Sequence, residues 1–333
     1  MWLGGNLTQS NINDIAIGGT GSFTTWGLPA SKLVMDVSSI GVIGLLLACL
    51  LLPGTGREPS ATARRCLRSA GRLALVWCVA TAALLLFSWS DVIARPVTKL
   101  QLANLFTDTA STFPAAVDYL TNTALALVIA AAAAVIETRR GALILLPLAI
   151  YGLVVMALQG HASHGTVIKY TLIVHVVAAS LWVGGLAALL LHARGEPAEL
   201  AVAVPRFSTV ALCCYAAIAA SGIVAAWILL GSVSAVWGSR YGVVVTLKAA
   251  ALIALGIFGW WHRRHTVPRI RAGTGSRSRH AFIKLAAAEV AIMVAAVAIA
   301  VALSRTASPD AILRHSQRKA AVSLMHTQQV IRG

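Results

Sequence analysis

Eight long apolar segments constrain the fold of this chain more than any other feature. A helix needs about 20 residues to cross the roughly 30 Å of hydrocarbon in a bilayer, and these segments have about that length. They lie at residues 32–52, 72–90, 115–136, 141–159, 167–192, 208–231, 241–261 and 283–303. Lipid offers no hydrogen-bond partner to an open backbone, so such segments must be helical. The sequence therefore predicts an all-α, polytopic membrane helix bundle of about eight transmembrane helices.

The composition agrees with a surface that faces lipid. The chain is 58% hydrophobic and 11% charged, whereas a soluble domain carries about 25% charged residues. The formal net charge is +16, but the basic residues are gathered in short loops, which argues against a nucleic-acid partner. None of the five cysteines forms a C-x-x-C pair, so we expect no disulfide framework and no thiolate metal site.

The basic residues also predict the orientation of the bundle. Loops 53–72, 137–140, 193–206 and 262–284 carry sixteen Lys or Arg, whereas the segments on the opposite side carry five. Because basic loops stay on the cytoplasmic side, we expect a multi-pass protein of the cytoplasmic membrane with its N-terminus outside.

The rest of the chain has a simple organisation. We expect a polar extracytoplasmic leader at 1–31, the transmembrane bundle at 32–303, and a polar basic tail at 304–333. The sequence contains no phosphate-binding loop, no nucleotide fingerprint and no G-x-S-x-G motif. We therefore expect a protein that is not an enzyme, with the lipid bilayer as its main partner.

The least ordinary stretch is GHASHGTVIKYTLIVHVVAASLWVGG at residues 160–185, in which His175 lies within an apolar run. Ionisable side chains inside membranes are rare and usually mark an ion path, a cofactor or a bond between helices. His161 and His164 are spaced so that both can face one metal ion. His175 lies about 16 Å further along a continuous helix, so we predict an entry site at the first two histidines and a deeper site at His175.

Both predictions have structural alternatives. His175 can simply form a hydrogen bond to a neighbouring helix, and His161 and His164 can be solvated loop residues without a ligand role. The remaining inner-side histidines are expected to be solvated, and they include His192.

Further metal ligands are available near the outer ends of two spans. Met156 lies at the outer end of the fourth span, and Met35 and Asp36 lie at the outer end of the first. Thioether with imidazole suits Cu(I), whereas imidazole with carboxylate suits Cu(II) or zinc, so the oxidation state stays open. Packing is the alternative for both methionines, and Asp36 can remain hydrated without a partner.

Two charges and several glycines lie inside the later spans. Lys248 and Glu289 lie on antiparallel spans at compatible depths, so we interpret them as a structural ion pair or as groups that couple ion movement. Gly184–Gly185 predicts a flat face for close helix packing, and Gly222 and Gly256 are expected to act in the same way elsewhere.

Motifs in a fixed order carry a family resemblance. They are GHASHG at 160–165, His175 with AASLWVGGL at 178–186, Arg206-Phe207-Ser208, YGVVVTLK at 241–248, Glu289 and LSRTASP at 303–309. Over roughly residues 140–310 the chain resembles the CopD copper-resistance membrane domain, and the histidine with LWVGGL is the most specific part. This resemblance implies a membrane protein that moves or handles copper, alongside a periplasmic copper-binding partner.

The sequence GSFTTWGLPASKLVMD at residues 21–36 adds a second resemblance. It is similar to actinobacterial proteins in which a CopD domain is fused to a cytochrome oxidase assembly domain of the CtaG type. The resemblance implies that such an assembly domain is a possible partner of this chain.

Three functions remain open at this stage. The first is copper transport or copper resistance, with capture at His161 and His164 and transfer to His175. The second is a copper-handling assembly factor for cytochrome c oxidase, which would bind the metal without net flux. The third is a b-type haem electron-transfer protein, which needs a second axial histidine opposite His175.

Overall fold

The computed structural model describes residues 21–55, 58–100, 113–159, 165–193, 196–230, 240–261, 263–264 and 268. These residues form seven long helices, one short antiparallel hairpin and a 3-10 turn at Val97–Lys99 after α2. The elements are α1 (Gly21–Leu51), β1 (Gly54–Thr55), β2 (Glu58–Pro59), α2 (Ala61–Val92), α3 (Ala116–Val135), α4 (Arg139–Leu158), α5 (Thr166–His192), α6 (Pro197–Leu230) and α7 (Arg240–Trp261).

The helices α1 to α6 are long and apolar enough to cross a membrane. The all-α polytopic membrane bundle is therefore confirmed. Helix α7 has 22 residues and coincides with the predicted span 241–261. The predicted span 283–303 lies outside the described residues, so the number of eight spans stays a prediction.

Four predicted spans agree with α3, α4, α5 and α7 to within two residues, but α1, α2 and α6 begin eleven residues before their predicted starts. The added turns of α2 carry the arginines that we had placed in a loop. They bury one face, which includes Thr62, Ala63 and Leu67. A hydropathy window averages over such an amphipathic end and misses it. Ser60 begins the helix, because its side chain accepts a hydrogen bond from the Ala63 N–H at 3.2 Å.

The early start of α1 places residues 21–31 in a helix, although we had expected them in the polar leader. Thr24 Oγ1 lies 2.7 Å from Ser90 Oγ of α2, and both side chains are buried. Gly27 faces the ring of Phe87 so closely that a Cβ would overlap it. Contacts with α2, rather than the local composition, therefore keep the first turns of α1 helical.

Helix α1 is the centre of the bundle. It packs against α2, α4 and α5, while α2 packs on α3, α5 packs on α6, and α6 contacts α7. A Cβ on Gly44 or on Gly184 would overlap the backbone of the other helix, and Gly185 lies against Phe207. The prediction of a flat packing face at Gly184–Gly185 is therefore confirmed.

The other two glycines behave differently from Gly184. Gly256 faces the side chain of Tyr215, so it allows contact with α6. Gly222 has no described atom within 4 Å of its Cβ position, so among the described residues it does not support close packing. The packing role of Gly222 therefore stays a prediction.

Arginines hold together the end of the bundle that contains the predicted basic loops. Arg139 of α4 donates to the carbonyl of Leu50, and Arg206 of α6 donates to the carbonyl of Leu51 at 3.0 Å. The last carbonyls of a helix have no partner within the helix, so these two arginines satisfy the end of α1. Below, we call this end of the molecule the basic end.

Two ion pairs join further elements at the basic end. Arg65 Nη2 lies 3.4 Å from Glu196 Oε1, and Arg68 Nε lies 2.7 Å from Glu137 Oε1. The hydrogen bond from Arg68, with its positive charge, lowers the pKa of Glu137 from its ordinary value. The pairs connect α2 to the segments that precede α6 and α4.

Candidate functional site

His175 lies on α5, between the start of that helix and its contact with α1. Its ring is half-buried, and its Nδ1 lies 3.0 Å from the Oγ of Ser221 on α6. The Ser221 side chain is buried, with 5% of its surface exposed. The structure therefore joins the intramembrane histidine to the neighbouring helix, as the structural alternative required.

Ser221 lies within hydrogen-bond distance of two groups. Its hydroxyl donates to the Ile218 carbonyl of its own helix at 3.0 Å, and its bond to His175 Nδ1 runs in the direction that the imidazole tautomer sets. A histidine that a partner orients through one ring nitrogen can bind a metal through the other. The structural bond and a ligand role are therefore compatible in the same side chain.

The interface around this pair is well packed. Trp182 of α5 and Tyr215 of α6 contact each other edge to face, with ring centroids 6.0 Å apart and planes at 85°. Gly185 allows Phe207 to approach α5 closely. Both contacts pack α5 against α6 on the same side of α5 as the bond between His175 and Ser221, and they add aromatic contact area to this helix pair.

His161 and His164 lie outside the described residues, but both ends of their segment are described. Gln159 at the end of α4 donates to the Ala115 carbonyl at 3.4 Å, which ties this end to the start of α3. Gly165 precedes the first turn of α5. His175 lies nine residues into that helix, a distance of about 14 Å from its start.

The predicted methionine ligands are buried in the core. Met35 exposes 1% of its surface and Met156 exposes 5%, and both belong to the same large apolar cluster. The packing alternative accounts for this burial. Because α1 begins at Gly21, Met35 and Asp36 lie near the middle of that helix. A helix of 31 residues is longer than the hydrocarbon is thick, so their position at the outer end of the membrane span stays a prediction.

Asp36 has a partner, contrary to our expectation that it could remain without one. Its carboxylate lies 3.2 Å from the Lys32 ammonium, one turn earlier on α1. An ionised side chain facing lipid would be costly without such a partner. A metal at Asp36 would compete with Lys32 for this carboxylate.

Two further predictions have different outcomes. Lys248 lies in α7, but its side chain and all of Glu289 lie outside the described residues, so their pairing stays a prediction.

His192, which we expected to be solvated, is half-buried at the end of α5, and its Nε2 lies 3.0 Å from Ser69 Oγ. This hydrogen bond to α2 accounts for the partial burial of the His192 ring.

The described part of the chain contains no group of three His, Cys, Asp or Glu side chains that could hold a metal. Among the described histidines, only His175 lies away from the basic end, so no second axial haem ligand faces it there. Sequence reasoning also missed Ser221. Small hydroxyl residues are frequent in these helices, so nothing in the sequence distinguished this one.

The fold and the half-buried histidine define a class: a multi-pass α-helical membrane protein with a polar link between two helices. Comparison with family models specifies the class further. Residues 23–169 match the copper resistance protein D-like N-terminal domain, and residues 201–303 match copper resistance protein D. The two matches together cover well over half of the chain, which belongs to the copper resistance protein D (CopD) family. It is a copper-resistance membrane protein, of a transport and resistance family rather than an enzyme family.

The comparisons have limits along the chain. Residues 170–200, which include His175 and the AASLWVGGL string, fall between the two matched ranges. Neither the curated proteins nor the solved structures gave a match. The resemblance to fusions with a CtaG-type domain stays a prediction.

Proposed function

We propose that this protein moves copper through the cytoplasmic membrane, capturing it at His161 and His164 and passing it to His175. The observation that carries the proposal is the bond between His175 and Ser221, which fixes an imidazole inside the bundle of a copper-resistance protein. The sixteen-to-five distribution of basic residues supports an orientation with the basic end inside and the histidine loop outside.

The chemistry of the pair supports a relay. Copper is the cargo, and it must exchange its ligands stepwise so that no site holds it too firmly to release it. Ser221 orients the ring through its hydrogen bond to Nδ1, as partners of metal-binding histidines commonly do. Because His175 lies about 14 Å from the start of α5, it would form a second copper site rather than bind the ion that His161 and His164 hold.

The remaining residues take secondary parts in this proposal. Met156 and Met35 would supply thioethers only if the core opens around them, and a metal at Asp36 would compete with Lys32 for the carboxylate. Lys248 and Glu289 would form a structural ion pair or couple ion movement. A periplasmic copper-binding protein would deliver the metal.

Loading of an oxidase is the second candidate, supported by the similarity of residues 21–36 to CopD–CtaG fusions. The two functions differ in flux. An assembly factor binds copper and hands it to a partner protein, whereas a transporter also moves copper across a sealed vesicle.

The test uses the purified full-length protein, wild type beside His161→Ala/His164→Ala and His175→Ala. Copper content and visible absorbance are measured in detergent, and copper uptake is measured in proteoliposomes. We expect copper without a haem band, with binding reduced in both variants and uptake lost in both. Binding without uptake in the wild type would favour the assembly factor, and a Soret band lost with His175→Ala would favour haem. No copper after loading would overturn the proposal.

A further inference from the structure

A groove of about 360 Å³ lies on the surface of the bundle at the basic end. Its floor is α1, and its two walls are α2 and α5, which both pack on α1 but make few contacts with each other. The hydrogen bond between His192 and Ser69 joins the two walls where the groove ends. The groove extends from there towards Gly41 and Gly184, near the middle of the bundle.

Most of the groove is apolar. Leu45, Leu73 and Val76 contribute side chains from α1 and α2, and Leu191 contributes one from α5. Val76 and Leu191 are 45% and 66% exposed, so the groove is open to the surrounding hydrocarbon rather than enclosed. Its volume falls within the range of small-molecule sites and has room for a segment of one acyl chain.

One cation of the groove has no acidic partner among the residues that the structure describes. Arg65 and Arg68 of α2 are paired with Glu196 and Glu137. Arg72, one turn further towards the membrane centre, lines the groove, is exposed, and belongs to none of the described ion pairs. A guanidinium at this depth favours a phosphate, which it can bind through two parallel hydrogen bonds.

We propose that this groove binds one anionic phospholipid of the adjacent leaflet. Arg72 holds the phosphate, the polar Ser69 and His192 line the headgroup end, and an acyl chain lies along Leu45, Val76 and Leu191 towards Gly184. Charge and shape agree in this assignment, because a cationic rim continues directly into an apolar channel between helices. Basic pockets between membrane helices are sites of this type for acidic lipids. The site is separate from the His175 pair, so it does not depend on the copper function.

The experiment is native mass spectrometry of the full-length protein released from nanodiscs that contain phosphatidylglycerol or phosphatidylcholine. Arg72→Gln removes the charge, and Ala187→Phe fills the groove while retaining Arg72. Arg64→Gln is the matched control, because Arg64 lies on the same helix but does not line the groove. Size-exclusion profiles establish that each variant is folded and monodisperse.

We expect one retained phosphatidylglycerol in the wild type, with a preference over phosphatidylcholine that falls about fivefold in Arg72→Gln, the factor of one basic residue near a membrane surface. Ala187→Phe should lose the lipid, and Arg64→Gln should retain it. Equal retention of both lipids by the wild type, equal loss in Arg64→Gln, or retention in Ala187→Phe would overturn the proposal. If inorganic phosphate alone stabilises the protein against unfolding as much as the lipid does, the proposal is overturned too.

Discussion

The backbone of Gly184 lies directly against the backbone of Gly44, with no side chain between α5 and α1 where they cross. In lipid the hydrophobic effect does not drive helices together, so close backbone contact is a main source of attraction between them. This contact attaches the helix that carries His175 to the centre of the bundle.

Gly184→Ala should therefore destabilise the protein, because a Cβ at this position would overlap the Ile40 carbonyl and Gly44. Overpacking of this kind usually lowers the free energy of unfolding by about 1–3 kcal/mol. Thermal unfolding in detergent measures the change. Gly222→Ala is the control, because no described atom lies near its Cβ position, and it should leave the unfolding temperature equal or slightly higher. Equal unfolding temperatures of wild type and Gly184→Ala would contradict the close contact.

Ser221→Ala should weaken copper binding by about tenfold or more, because loss of an orienting partner typically lowers metal affinity 10–100-fold. Isothermal titration of the purified protein measures this affinity. Ser221→Thr keeps the hydroxyl and should retain most of it.

Ser180→Ala is the matched control for that measurement. Ser180 lies on the same helix as His175, but its hydroxyl donates within the helix to the Val176 carbonyl. Its loss should leave copper affinity unchanged. If both alanine variants weaken binding equally, the effect of Ser221 is a general one on the helices.

The pair of Arg68 and Glu137 predicts a small dependence of stability on pH. The folded state lowers the pKa of Glu137, so the pair stabilises the protein above the ordinary glutamate pKa of about 4.3. The contribution is lost as the pH falls through the lower pKa of the folded state. We expect the unfolding temperatures of wild type and Glu137→Gln to differ slightly at pH 7 and to converge below about pH 4. A difference that stays constant over this range would show that the charge of Glu137 does not contribute.

Ala94→Gly should stabilise the end of α2. Ala94 has a φ of 52°, and it occupies the left-handed position of a helix end in which Arg95 N–H bonds to the Ser90 carbonyl and Ala94 N–H to the Asp91 carbonyl. Glycine adopts this conformation without the strain that alanine has. We expect an increase of up to about 1 kcal/mol in the free energy of unfolding, reduced by the greater freedom of glycine in the unfolded chain. A lower unfolding temperature would contradict the assignment.

Hydropathy predicted the helices wherever lipid surrounds them on most sides. It failed at the first eleven residues of α1, α2 and α6, where contacts with other helices bury one face. These added residues carry charges in α2 and α6 and are polar but uncharged in α1. Thr24 is an example, since only its contact with Ser90, 66 residues away in sequence, shows that it belongs to a helix. Such pairings depend on the arrangement of helices and are not encoded in any local pattern.

Only part of the candidate site could be predicted from the sequence, again because contacts between helices leave no local pattern. His175 is exceptional within its own segment, so the sequence alone identified it. Ser221 and the ion pair of Asp36 with Lys32 became visible only in the structure. Serine is ordinary in a membrane helix, and a lysine one turn from an aspartate is found equally on solvated helices.

The packing of helix α5 determines whether the two family-matched regions could be separated. The helix occupies most of the interval between the two family-matched regions, yet it packs on α1 of the first region and on α6, most of which belongs to the second. The boundary between the regions is thus a boundary in sequence and not a flexible joint. A chimaera that exchanged the CopD region between relatives would have to preserve both faces of α5, the glycine face towards Gly44 and the histidine face towards Ser221. Helix α5 therefore joins the two regions into one packed unit within this chain.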